Sequence, residues 1–300
     1  MSLIAQKTKW VLFLSSSQPK AEARHVLDLV YGLMCLESAG VKPDDISIYI
    51  DSPTQNFDGL FSLASTNIYH SKPTDNFFSD QENNKHENLV MFITGHGNPF
   101  GIDAVTPITP EKLLSTVKCM KGLGNAVIYL GQCYAGIFNY VNAGRARRKA
   151  GDGPEIVLIG ATNLHESLSL STTEKMLAGE IPWLANQFLL HVFKWFSAPV
   201  DIDGDGQSTI MDSYKYAGVF SNMHNKVMKN RGFIQMIDLH HEWRDLKNIA
   251  ENDAGDDVTN LDNKVNCAAK FEMYVNSLEI HHVHQECWVL NSYPAQQITI

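Results

Sequence analysis

No apolar run in the 300-residue sequence approaches the ~20 residues that a membrane-crossing helix needs, so no membrane partner is expected. Basic residues are in deficit: 24 Lys plus Arg stand against 33 Asp plus Glu, for a net charge of −9. With no basic cluster beyond Arg145–Lys149, the chain lacks the electrostatic footprint of a nucleic-acid binder. Cysteine is sparse and scattered. Cys35, Cys119, Cys133, Cys267 and Cys287 contain no C-x-x-C pair, which argues against both a zinc knuckle and a disulfide framework. A reduced, cytoplasmic setting is the default expectation. The short start Met1-Ser2-Leu3 also suits a chain whose secretion signal has been replaced, and that would make it secreted. There is no internal repeat. What remains is ordinary for a globular protein, with 44% hydrophobic and 19% charged residues, and it is long enough to bury a sizeable core.

Short apolar runs punctuate the first half. Trp10–Leu14, Ile46–Ile50, Leu89–Thr94, Ala126–Leu130 and Glu155–Gly160 have strand length. Between them lie helical patterns. Lys20–Ala39 places Val26, Leu27, Val30, Leu33 and Met34 on one face, and Gly40 and Pro43 stop it. Thr109 and Pro110 open a second helix, as N-cap and first helical residue, that continues to about Met120. Ser52–Asn88 reads as a long polar surface excursion, whereas Pro182–Phe196 and Met211–Asn230 read as helices. Apolar strands alternating with helices predict an α/β fold, a mostly parallel central sheet covered on both faces. The expected organisation is one domain over 1–220, including a helix–loop–helix around 183–230, and a C-terminal extension over 221–300.

Two of the expected strands end in chemically capable residues. Leu89–Thr94 runs into Gly95-His96-Gly97, and Ala126–Leu130 runs into Gly131-Gln132-Cys133. If these strands are neighbours, His96 and Cys133 emerge together at the carboxyl edge of the sheet, where open α/β sheets form their sites. An imidazole can take the proton of a thiol, and the amides of Gly97 and Cys133 could hold an oxyanion. Either residue alone would more often be a packed or hydrogen-bonded core group; the pairing carries the signal.

Here the sequence resembles the legumain (asparaginyl endopeptidase) branch of the caspase-like cysteine peptidases. The resemblance rests on Phe92-Ile-Thr-Gly-His-Gly97, on Val127-Ile-Tyr-Leu-Gly-Gln-Cys133, on Trp10–Leu14 with Arg24-His25 and Asp28, and on Ala161-Thr-Asn163 with Glu166-Ser167. His96 precedes Cys133 by fewer residues than the ~50 usual in caspases. The resemblance covers roughly residues 9–190. It implies a caspase-like three-layer fold and a peptidase acting on a protein or peptide substrate through a Cys133–His96 dyad and a thioester, with no cofactor required for catalysis. Cleavage after Asn or another small polar residue would follow, with Arg24, Ser167 and Glu180 lining the specificity pocket. The sequence departs from the family pattern at three places. Gly131 stands where the family carries an acid, Leu168 where it carries a second Ser, and about Gln18 where it carries the Asn that orients the His. Arg24 and Asp28, four apart on a helix, could alternatively form a surface ion pair.

Three further features stand apart from the dyad. Asp201, Asp203, Asp205, Gln207 and Asp212, with Gly206 at the turn, have the spacing of a calcium-binding loop, for which a plain polar loop is the alternative. Gly144–Gly151 is a basic run that suits either a cleavage site or a solvated loop. His281, His282 and His284 are expected on a strand, as an edge surface or a metal site. The alternative to a peptidase is a catalytically weak or inactive caspase-like scaffold, serving as a calcium-sensing or protein-interaction module; a third reading is another thiol acyltransferase or amidase.

Overall fold

The continuous apolar runs become sheet strands because both faces of the sheet are buried, so every residue of a strand must be apolar or paired. In chain order the elements are β1 (Thr8–Ser15), α1 (Ala23–Ser38), β2 (Ile46–Ile50), β3 (Ser71–Lys72), α2 (Thr74–Asp80), β4 (Asn88–Gly95), β5 (Gly97–Asn98), β6 (Gly101–Ile102), α3 (Pro110–Cys119) and β7 (Asn125–Leu130). They continue as β8 (Glu155–Gly160), β9 (Ser169–Met176), β10 (Gly179–Asn186), α4 (Gln187–Ser197), α5 (Ile210–Asn252), α6 (Asp257–His282), β11 (Trp288–Leu290) and α7 (Ser292–Ala295). The computed structural model describes residues 2–80, 84–141, 143, 153–252, 255–282 and 286–300. Two units divide the chain: Met1–Ser221 with Gln285–Ile300, and Asn222–His284.

The first unit is α/β, built on a seven-stranded sheet in the order β11-β8-β7-β4-β1-β2-β3. All neighbours pair in parallel except β11, which runs antiparallel to β8 at one edge. Alternation along each strand sends its side chains to two cores. Trp10, Leu12, Phe92, Tyr129 and Ile159 face α1 and α4, whereas Val11, Phe13, Met91, Ile128 and Leu158 face the helix residues Phe77, Leu113 and Val117. Helices thus cover both faces. Thr109 caps α3 as expected, its side chain accepting from Lys112 N–H. Among the described residues no helix is long and apolar enough to cross a membrane.

Several expectations are corrected. Helix α1 starts at Ala23, not Lys20. The polar excursion over 52–88 holds a 3-10 turn, β3 and α2, anchored by buried Phe57, Phe61, Tyr69 and Phe77. The helix expected from Pro182 begins only at Gln187, because Gly179–Asn186 pairs antiparallel with Ser169–Met176 in a hairpin. The helix expected to end at Asn230 continues to Asn252. The strand expected around His281 is absent where described: residues 281 and 282 end α6, and Val283 and His284 lie outside the described residues, as does the basic run Gly144–Gly151. The last strand, β11, returns to the sheet of the first unit. Its Trp288 donates from Nε1 to Thr162 O at 2.8 Å. Within the second unit, Trp243 stacks on Tyr274 and packs against Phe271, and Lys270 pairs with Glu242 at 2.7 Å.

Candidate active site

Strand order fixes where a site can form. From β1 the chain moves to β2 and β3 on one side, then crosses back to place β4 on the other, so the order reverses between β1 and β4. Crevices open outside the carboxyl ends of strands at such a reversal. A cavity of about 320 Å³ lies there, lined by Ser15–Gln18 at the end of β1 and beyond it, Gly95 and His96 at the end of β4, and Glu22 and His25 at the start of α1. A larger one, about 860 Å³, shares Ser16, Ser17 and Gln18 and extends past Asp51, Thr74 and Lys112.

His96 and Cys133 do emerge from adjacent parallel strands, β4 and β7, in register from Asn88↔Asn125 to Ile93↔Leu130. Their backbones touch at Gly97: a Cβ there would lie 2.2 Å from Cys133 O, so only glycine allows this approach. After Cys133 the chain turns sharply through Tyr134, a non-glycine residue at φ 55°. That conformation is held by Tyr134 N–H donating to His165 O at 2.8 Å, and by Gly136 N–H donating to Asn163 O at 3.0 Å. The thiol accepts from Ser167 N–H at 3.3 Å and is not hydrogen-bonded to the imidazole. Burial pushes the Cys133 thiol up, an effect the Ser167 N–H opposes.

The partner of His96 is a residue that the sequence reading does not single out. His96 Nε2 lies 2.5 Å from Glu22 Oε1, and Arg24 Nε donates to the other oxygen, Oε2, at 2.6 Å. The His96 hydrogen bond, and then that of Arg24, hold the Glu22 carboxyl down at about 2. Because Nε2 is engaged, Nδ1 is the ring nitrogen left to receive a proton from the thiol. Gln18 is exposed and its backbone N–H donates to Ser16 Oγ; Glu22, not Gln18, holds the imidazole. The only signal for Glu22 in the sequence is its place just before α1, where an acid is ordinary.

Behind this pair lies a buried polar network. Asp28, 3% exposed, accepts from Trp183 Nε1 at 3.0 Å, Asn186 N–H at 3.1 Å and the Thr94 hydroxyl at 2.9 Å. The Arg24–Asp28 surface ion pair is therefore absent: Asp28 turns into the core, and Arg24 pairs with Glu22 and donates from Nη1 to Ser169 Oγ at 3.3 Å. Asn186 caps α4 through Leu189 N–H and donates to Gly131 O at 2.6 Å and Ser167 Oγ at 3.3 Å. It ties the loop before Cys133 to the loop that holds its thiol. Gly131 has no room for an acidic side chain, since a Cβ there would lie 2.6 Å from Leu189 Cδ1 and 2.9 Å from Ile93 O.

The expected pocket residues separate. Arg24 and Ser167 meet the same segment: Arg24 donates to Ser169 Oγ, and the Ser167 backbone N–H donates to the Cys133 thiol. Glu180 does not join them. It is exposed and pairs across the hairpin with Lys175, whereas Ser169 pairs with Asn186 at the other end, about 20 Å away by strand rise.

The calcium-loop residues separate as well. One carboxylate oxygen each from Asp201, Asp203 and Asp205 gathers within 4.8 Å of the others. Asp212 is fully buried and spent elsewhere, accepting from Ile202 N–H with one oxygen and from Thr209 N–H and hydroxyl with the other. Thr209 and Asp212 form a capping box at the start of α5. Gln207 donates its backbone N–H to Asp205 Oδ1 at 2.8 Å, and Asp203 is paired with Lys215 at 2.5 Å. The residues fit a calcium ion only in part, so no chemical step is routed through one.

No family model matches the chain, and no curated protein matches it either.

Proposed function

We propose that the chain is a cysteine peptidase of caspase-like, legumain-type architecture. The observation that carries this reading is the emergence of His96 and Cys133 from adjacent parallel strands, joined by the glycine-only contact of Gly97 with Cys133 O. His96, held through Nε2 by Glu22, takes the thiol proton at Nδ1. Cys133 Sγ attacks the carbonyl carbon of the scissile peptide, and the amides of Gly97 and Cys133 hold the oxyanion. His96 returns the proton to the leaving amine, and water hydrolyses the thioester. Arg24 and Ser167 offer charge and hydrogen bonds to a small polar side chain such as Asn on the substrate. Glu180 is too distant to contribute.

The unformed thiol–imidazole hydrogen bond, together with the raised thiol, favours one second reading: a weak or inactive scaffold acting through interactions, calcium among them. A peptide-library digest by wild type and Cys133→Ala, with and without calcium, separates the two. Cleavage lost in Cys133→Ala supports the peptidase. Identical, uncleaved libraries from both proteins overturn it.

A further inference from the structure

His25 stands at the mouth of the site, and the peptidase reading leaves its chemistry unused. It is buried to 4% exposure and lines the 320 Å³ cavity, yet its Nε2 has no hydrogen-bond partner among the described residues. A buried, unpartnered ring nitrogen is costly unless something binds it. The other nitrogen is fixed. Nδ1 faces Thr94 Oγ1 at 3.3 Å and Asp28 Oδ2 at 3.6 Å, and the Thr94 hydroxyl itself donates to Asp28. Thr94 oxygen must therefore accept, so Nδ1 carries the proton and Nε2 presents its lone pair. A carboxylate set behind a histidine in this way is how proteins orient histidines that ligate metals.

Two other donors stand beside it. One ligand atom each from Glu22, His25 and His96 lies within 4.8 Å of the other two, and the His25 and His96 rings meet edge to face at 5.2 Å. We propose that Glu22, His25 and His96 form a binding site for a divalent transition metal, zinc by its donor set of two imidazoles and one carboxylate.

Ligand atoms on a common tetrahedral zinc stand about 3.4 Å apart, as bonds of ~2.0–2.1 Å require. Seating the ion means opening the 2.5 Å Glu22–His96 hydrogen bond by about 1 Å. Both side chains are 49% exposed, Arg24 keeps its bond to the other Glu22 oxygen, and buried His25 is the fixed ligand around which they close. The fourth position opens to the cavity and takes water. The consequence for activity rests on the peptidase reading: a bound ion occupies the imidazole that should receive the thiol proton, so zinc switches the peptidase off and a chelator restores it.

The test uses Cys133→Ala full-length protein, titrated with Zn²⁺ in competition with a chromogenic chelator, and with Co²⁺ followed by its visible spectrum. One ion per chain is expected, with a four-coordinate Co²⁺ spectrum and a higher melting temperature when loaded. Glu22→Gln and His25→Gln should each weaken binding at least tenfold. Glu22 is half exposed, so its variant stays informative where the buried His25 variant fails to fold. Absence of stoichiometric binding overturns the proposal. So does affinity unchanged by Glu22→Gln, or binding seen in wild type but lost in Cys133→Ala, which would place the ion on the thiol. Metal binding as expected alongside an inactive metal-free wild type would sink the peptidase reading and leave the metal site standing.

Discussion

Glu22 and His96 are joined by a 2.5 Å hydrogen bond between Oε1 and Nε2, across the junction of α1 and β4. The imidazole is therefore held through Nε2, which in the proposed mechanism leaves Nδ1 for the thiol. A carboxylate so placed fixes the tautomer and stabilises the imidazolium that forms when Cys133 loses its proton. Glu22→Gln should lower kcat about 10- to 100-fold, less than for a fully buried orienting acid because Glu22 is half exposed, with KM little changed. Steady-state kinetics on the best library peptide check this; a rise in kcat would mean that Glu22 sequesters His96 rather than orienting it.

The resting thiol gives a second prediction. Burial raises the Cys133 thiol above its ordinary value and His96 is bonded to Glu22 instead, so thiolate is scarce at neutral pH. Iodoacetamide labelling of Cys133 should accelerate with pH, with a midpoint above ~8.5. His96→Ala should leave that midpoint in place. A midpoint well below the ordinary thiol value in wild type, moving upward in His96→Ala, would show that the pair is already coupled before substrate binds.

The strands of the central sheet were legible because Trp10–Leu14, Leu89–Thr94 and Ala126–Leu130 are continuous apolar runs, and a strand buried on both faces has little other way to be written. The hairpin of β9 and β10 was not. Ser169–Lys175 is polar and half exposed, and Trp183–Ala185 extend the apolar stretch of α4 back as far as Pro182. Helix α5 passes through Gly232 without breaking, a residue that ordinarily weakens helical expectations. In the site, His96 and Cys133 were readable from their flanking glycines. Glu22, Asn186 and Trp183 were not, since each gains its role from a partner far away in sequence: His96, Gly131 and Asp28. Asp212 parted from the calcium-loop spacing for a related reason. The same acid three residues after Thr209 satisfies a capping box, and local capping took it.

Asp28 anchors the floor of the site, so its loss should be felt in stability before chemistry. Asp28→Asn replaces one accepting oxygen with a donor, which must face Thr94, or Trp183 and Asn186, all of which donate. The expected cost is about 2–4 kcal/mol, read as a shift in urea midpoint with unchanged slope. A loss below ~0.5 kcal/mol would place Asp28 outside the load of the core.

Gly131 offers the sharpest packing test, because it stands where the resembled family carries an acid. A Cβ at this position meets Leu189 Cδ1 at 2.6 Å and Ile93 O at 2.9 Å, and the Gly131 carbonyl is fixed by Asn186 Nδ2. The leucine can shift; the backbone oxygen cannot. Gly131→Ala should cost about 1–3 kcal/mol through overpacking, and Gly131→Asp more, because the carboxylate would also be desolvated against α4. Leu189→Ala, itself destabilising by about 2–5 kcal/mol as a fully buried leucine, should recover only part of the Gly131→Ala loss in a double-mutant cycle. Thermal denaturation of the four proteins measures the coupling. Strict additivity would mean that Leu189 does not exclude the side chain. A fully stable Gly131→Asp would mean that the loop before Cys133 can be remade to carry an acid.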